Sequence, residues 1–116
     1  MDERIEKAFE VANYMATLSN QRRILLTEFQ QKLIYYINGA VFNINPELIS
    51  FTNLMIEQGY ESECAFIDAN QLPVIISDVK EFFNDISMIY FESLNEYSVK
   101  YAELSKKRRI QDIVEL

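Results

Sequence analysis

The residues that could carry chemistry are few: one cysteine, Cys64, and two close carboxylate pairs, Glu61 with Glu63 and Asp78 with Glu81. A thiolate could serve as a nucleophile, and paired carboxylates could divide the acid and base halves of a proton transfer. Neither has the company it needs. The chain contains no histidine, the commonest general base, metal ligand and pH switch. A lone cysteine and scattered carboxylates give neither zinc spacing nor a calcium loop. Cys64 occupies an apolar position of a strand pattern, where a small buried hydrophobe is the better reading. Glu61 and Glu63 fall in a solvated turn. Asp78 and Glu81 fall in the first turn of a helix, where they complement the macrodipole. The expectation is a protein without catalytic, metal-binding or cofactor-binding residues.

The elements that would position any such group can be read in order. Over residues 3–31, Ile5, Ala8, Phe9, Ala12, Met15, Leu18, Leu25 and Phe29 recur at helical steps, as one apolar stripe. This predicts a helix about 42 Å long, with a bend at Ser19, since Ser19 and Asn20 are weak helix formers. In "KLIYYINGAVFNINPEL", residues 32–48, two runs rich in aromatic and β-branched residues flank Asn38-Gly39. Asn-Gly is the strongest signal for a two-residue hairpin, because its turn needs positive φ at both positions. Asn45 then serves as N-cap, with Pro46 at the first helical position and Gly59 just past the helix end.

"ECAFID" and "LPVIIS" make a second hairpin around Ala69-Asn70-Gln71, with Pro73 near a strand start marking an edge. Ser77 is expected to cap the last helix. Its stripe runs from Val79 through Phe82, Phe83, Ile86, Tyr90, Leu94, Tyr97 and Tyr101 to Leu104. The fold class is α+β: long N-terminal helix, hairpin, short helix, hairpin, long C-terminal helix, with a small antiparallel sheet of four strands. Length predicts one domain over residues 1–116, with 110–116 left as a flexible tail.

Composition limits the function classes. Only two glycines and two prolines interrupt the chain, which favours long regular elements. The net charge of −7 argues against a general nucleic-acid binder, which must offset phosphate charge. The charged start "MDERIEKAFE" lacks a signal-peptide layout, and no apolar run reaches the roughly 20 residues that span a bilayer. A lone cysteine fits a reducing compartment. A cytoplasmic protein away from the membrane is therefore expected.

Two features point to partners. Lys106, Lys107, Arg108 and Arg109 hold four of the eleven basic residues. They read first as compensation of a helix C-terminus and second as a patch for nucleic acid or an acidic protein face. Arg22 and Arg23 would extend that patch if the two long helices pack antiparallel. Helix length is the other feature. A stripe of about 42 Å outruns strands of about 20 Å, so a second copy or the first helix must cover the remainder. Tyr14 and Leu26, and Met88, Ile89 and Phe91, lie off the main stripes, as in helices with partners on more than one side. A homodimer touching at Met88, Ile89 and Phe91 is expected. Tyr90, Tyr97 and Tyr101 share a face better suited to packing than to base stacking.

In "ERIEKAFEVANYMATLSNQRR", "YYINGAVFNINPELISF" and "KKRRIQDIVEL" the chain resembles small proteins of contractile-tailed, myovirus-type phages, including those of marine cyanobacteria. The resemblance covers nearly the whole chain but rests on no diagnostic motif. It implies a virion-assembly role, such as a prohead core or scaffolding accessory in the host cytoplasm or on the virion, and brings no catalytic residues. The rival expectation is a phage regulator that touches nucleic acid or a polymerase through the basic run.

Overall fold

The computed structural model describes the backbone of residues 2–115 and the side chains of residues 2–106. In order, its elements are α1 (Glu3–Lys32), β1 (Ile34–Ile37), β2 (Ala40–Asn43), α2 (Pro46–Glu57), β3 (Ser62–Ile67), β4 (Pro73–Asp78) and α3 (Val79–Glu115). The α+β class and the element order match the sequence pattern. Residues group into two compact units, Phe29–Asn95 and Met1–Glu28 with Glu96–Leu116, a subdivision that length does not foretell.

In the Phe29–Asn95 unit the chain leaves α1 and turns directly into the first hairpin. Asn38 and Gly39 have φ of 51° and 75°, and the flanking pair Ile37↔Ala40 closes the ladder. These are the two positive-φ positions that the Asn-Gly turn requires. Alternation then sends Tyr35 and Phe42, which are cross-strand partners, to one face. Ile44 donates its N–H to the Leu33 carbonyl at 2.7 Å, which continues the pairing past β2.

Asn45 caps α2 from an extended conformation, and its Oδ1 accepts the Leu48 N–H at 2.7 Å. At the other end Gly59 has φ of 88°, the Tyr60 N–H reaches the Met55 carbonyl and the Gly59 N–H reaches that of Ile56. This is the six-to-one and five-to-two bonding of a glycine C-terminus. Thr52 is wholly buried, and its hydroxyl donates to the Leu48 carbonyl at 2.7 Å, so no polar atom is stranded there. Replacing Asn45 with alanine orphans the Leu48 N–H. A loss of about 0.5–2 kcal/mol is expected in urea unfolding, and an unchanged midpoint would mean that the cap contributes nothing.

The second hairpin departs from the sequence reading in two details. Its loop runs from Asp68 to Leu72, because the buried Asp68 carboxylate gathers it. Oδ1 accepts the N–H groups of Asn70 and Leu72, both at 2.9 Å. The cap of α3 is Asp78, not Ser77: its Oδ1 accepts the Glu81 N–H at 3.0 Å. β4 extends through Ser77 to Asp78, so the cap falls one residue later.

The expected four-stranded sheet does not form. The two hairpins make separate two-stranded sheets, and the Ala69 N–H donates to the Val41 carbonyl at 2.7 Å between them. The physical reason lies in α3. Phe42 of the first hairpin and Phe66 of the second both press on Phe82, with ring centroids 5.2 and 5.3 Å away. Each hairpin buries a face on the same helical turns and does not need its neighbour's edge. Val79, Phe82 and Ile86 are at most 1% exposed and form the centre of this core with Ile44, Cys64 and Ile76.

The other unit pairs the early turns of α1 with the later turns of α3. Along α1 the covered positions are Tyr14, Leu18, Arg22 and Leu25, with Leu18 only 5% exposed. Lys100 reaches Glu96 at 2.9 Å and Glu28 at 3.5 Å, and Arg22 lies 6.0 Å over the Tyr101 ring. Helical backbone is unbroken through Ser19 and Asn20. The Asn20 amide oxygen accepts from Arg23, so the side chain bonds forward along the helix surface rather than to its own backbone. Helix α3 takes in positions 110–115, which the sequence pattern leaves as a tail. No glycine or proline stops it there, so the basic run sits inside the helix and not in its last turn.

Candidate functional site

Two places could engage another molecule, one in each unit. In the helix pair, the turns that cover Leu18 and Leu25 use one face of α1 and leave the next face bare. The stripe read from the sequence splits accordingly. Ile5, Ala8, Phe9, Ala12 and Met15 of that stripe are exposed, as is Ala16 beside them, whereas Leu18 and Leu25 of the stripe, with Tyr14 from off it, form the covered line. Steps of three and four cannot tell two adjacent helix faces apart when both carry apolar residues. That ambiguity hid the exposed face. Beside it, Gln21, Ile24, Leu25, Lys100, Glu103 and Leu104 line an open groove of about 250 Å³. The Lys100 ammonium is held above the ordinary lysine value by its hydrogen bond to Glu96. A surface ion pair over an aliphatic floor suits side-chain docking better than bond-making.

The Phe29–Asn95 unit carries a cleft of about 260 Å³ between the first hairpin, the end of β4 and the start of α3. Its wall holds Tyr35, Asp78, Glu81, Phe82 and Asp85. The Tyr35 hydroxyl donates to Asp85 Oδ2 at 3.2 Å. Burial pushes the Tyr35 phenol above its ordinary value, and the nearby charges of Asp85 and Glu81 add to the effect. Asp78 is already engaged as the α3 cap. Among the described residues no group of three or more carboxylates or thiols is placed to hold a metal ion. Asp85 carries no local signal of its role. It meets Tyr35 only because the hairpin folds onto α3, 50 residues away.

The phenol makes an alkaline prediction. A folded value raised above the unfolded one, about 10, means that this contribution is complete below about pH 10 and is lost as pH climbs through the folded value. Tyr35→Phe is therefore expected to flatten the alkaline decline of the urea midpoint. An identical decline in both proteins would show that Tyr35 does not contribute to it.

The partner residues read from the sequence are dispersed. Met88 and Phe91 are 56% and 61% exposed. Ile89 is half-buried and packs against the core, because it follows Phe82 and Ile86 along the same helix face. It is a core contact more than a surface contact. Cys64 is buried in that core as well. Lys106 is exposed, while the side chains of Lys107, Arg108 and Arg109 lie outside the described residues. Arg22 and Arg23 are occupied by Tyr101 and Asn20. Among the described residues no helix is long and apolar enough to cross a membrane. Comparison of the chain with family models, with curated proteins and with solved structures returns no match.

Proposed function

We propose that this chain is a non-enzymatic interaction protein that acts by self-association, as a phage assembly or scaffolding accessory in the host cytoplasm or on the virion. The observation that supports it best is the exposure of Ile5, Phe9 and Met15, at 48%, 62% and 47%, along one face of α1. Single apolar side chains are ordinary on a surface, but a line of them at helical spacing presents a face for a partner. Met88 and Phe91 on α3 offer further apolar area. The assembly role is supported by the sequence resemblance to proteins of contractile-tailed phages. The rival, a regulator that contacts nucleic acid or a polymerase, depends on a basic run in a chain whose net charge is −7.

Thermal unfolding over about a hundredfold range of concentration tests the proposal. If copies bind in the folded state, the midpoint rises with concentration by mass action. A midpoint that does not move contradicts self-association.

A further inference from the structure

The first hairpin leaves one strand edge open, and the cleft beside that edge carries unbalanced negative charge. Ile44 gives its N–H to the Leu33 carbonyl at 2.7 Å. Alternation from that bond spends the backbone groups of Leu33, Tyr35 and Ile37 on β2 and turns those of Ile34 and Tyr36 away from it. On β2 the same alternation turns out Val41, whose carbonyl accepts the Ala69 N–H. Among the described residues β1 pairs with β2 alone. Its edge holds neither proline nor charge, two common defences of an open edge, whereas β4 begins with Pro73.

The cleft of about 260 Å³ opens on that side, since Tyr35 and Ile37 line it and no residue of β2 does. Ile76 and Ser77 of β4 form the far wall, with Phe82 and Asp85 of α3 below. Asp78, Glu81 and Asp85 follow one another at helical steps of three and four, a line of like charges that repel. Asp78 and Glu81 gain from the start of α3, but Asp85 lies beyond its first turn. The described salt bridges use Glu61, Glu28 and Glu96 instead.

We infer that this cleft receives an extended segment of another protein, added as a strand on β1, with a basic side chain directed at Asp85 and Glu81. Backbone pairing fixes the segment to Ile34 and Tyr36, and alternate side chains then point into the cleft. A lysine or arginine there lays its apolar stem over Ile37 and Phe82 and brings its charge to the carboxylates. Its neighbours in the segment stand on the outer face opposite Ile34 and Tyr36, which are 39% and 73% exposed. β-Branched residues suit those two positions, as cross-strand partners of an isoleucine and an aromatic ring. The partner is therefore an apolar–basic–apolar run in extended form. The site uses no residue of α1, so it stands whether or not copies of the chain associate.

Amide chemical shifts of the whole protein, titrated with the capped peptide Thr-Val-Lys-Val-Thr, test this. The peptide is expected to bind and to shift the Ile34 and Tyr36 amides. The same peptide N-methylated at both valines keeps its charge and loses the donors that face β1. It should bind several-fold more weakly. Glutamate in place of the lysine should weaken binding at least as much. Asp85→Asn with Glu81→Gln is expected to remove that preference for lysine. No binding at millimolar peptide overturns the inference. Equal affinity of the N-methylated peptide overturns strand addition, leaving only the attraction of a cation to an acidic chain. Equal affinity of the glutamate peptide, or a preference for lysine that survives the double substitution, overturns the role of the carboxylates.

Discussion

Phe82→Ala is expected to remove about 3–5 kcal/mol of stability, the range for deleting a fully buried aromatic side chain. Phe82 is 1% exposed, and its ring is the point on which the Phe29–Asn95 unit converges. Phe42 and Phe66 stand 5.2 and 5.3 Å away, and Tyr35 stands 6.1 Å away, at tilted or edge-on angles that favour aromatic pairs. Alanine leaves a void bounded by both hairpins and the α3 backbone. Rings held by two separate strand ladders cannot collapse far into it. Total stabilities of about 5–15 kcal/mol leave little after such a loss. Urea unfolding followed by circular dichroism measures it. A loss below about 1 kcal/mol would mean that the hairpins do not share this core.

Gly39→Val is expected to cost about 1–3 kcal/mol through backbone strain alone. Gly39 has φ of 75°, and a Cβ built there meets no atom within 4 Å. Space is therefore no obstacle, and the penalty comes from forcing a β-branched residue into the left-handed region. Gly39→Ala should suffer less than valine, because its Cβ is not branched. Equal stability of all three proteins in urea would contradict the turn geometry. If valine costs more than the core truncation, the turn must do more than close a hairpin.

The parts of the fold that could be read from the sequence are those whose causes are local. Asn38-Gly39 declares its turn because few other pairs tolerate two positive φ angles. Asn45-Pro46 declares a helix start by supplying an acceptor and giving up a donor that had no partner. What could not be read depends on how segments meet. No residue of β2 or β3 announces that the two hairpins pack by face and not by edge, since either arrangement buries Phe42 and Phe66. Ser77 and Asp78 are both competent caps, and the choice fell to how far β4 extends. The basic run resembles a helix end, but Ile110 to Glu115 contains nothing to stop the helix. The exposed face on α1 is the clearest case. Ile5, Ala8, Phe9, Ala12 and Met15 belong to the stripe legible in the sequence, and only packing decides which of two adjacent apolar faces is covered.

The central claim is that this bare face of α1 joins copies of the chain. Light scattering on a sizing column, applied to the natural chain and to Phe9→Lys, tests it most directly. Phe9 is 62% exposed, so lysine should be tolerated by the monomer fold while placing a charge in the middle of the paired faces. The account predicts twice 13.7 kDa for the natural chain at micromolar concentration and 13.7 kDa for Phe9→Lys, with unchanged circular dichroism. A natural chain that elutes at 13.7 kDa, or a Phe9→Lys protein that remains dimeric, would contradict it.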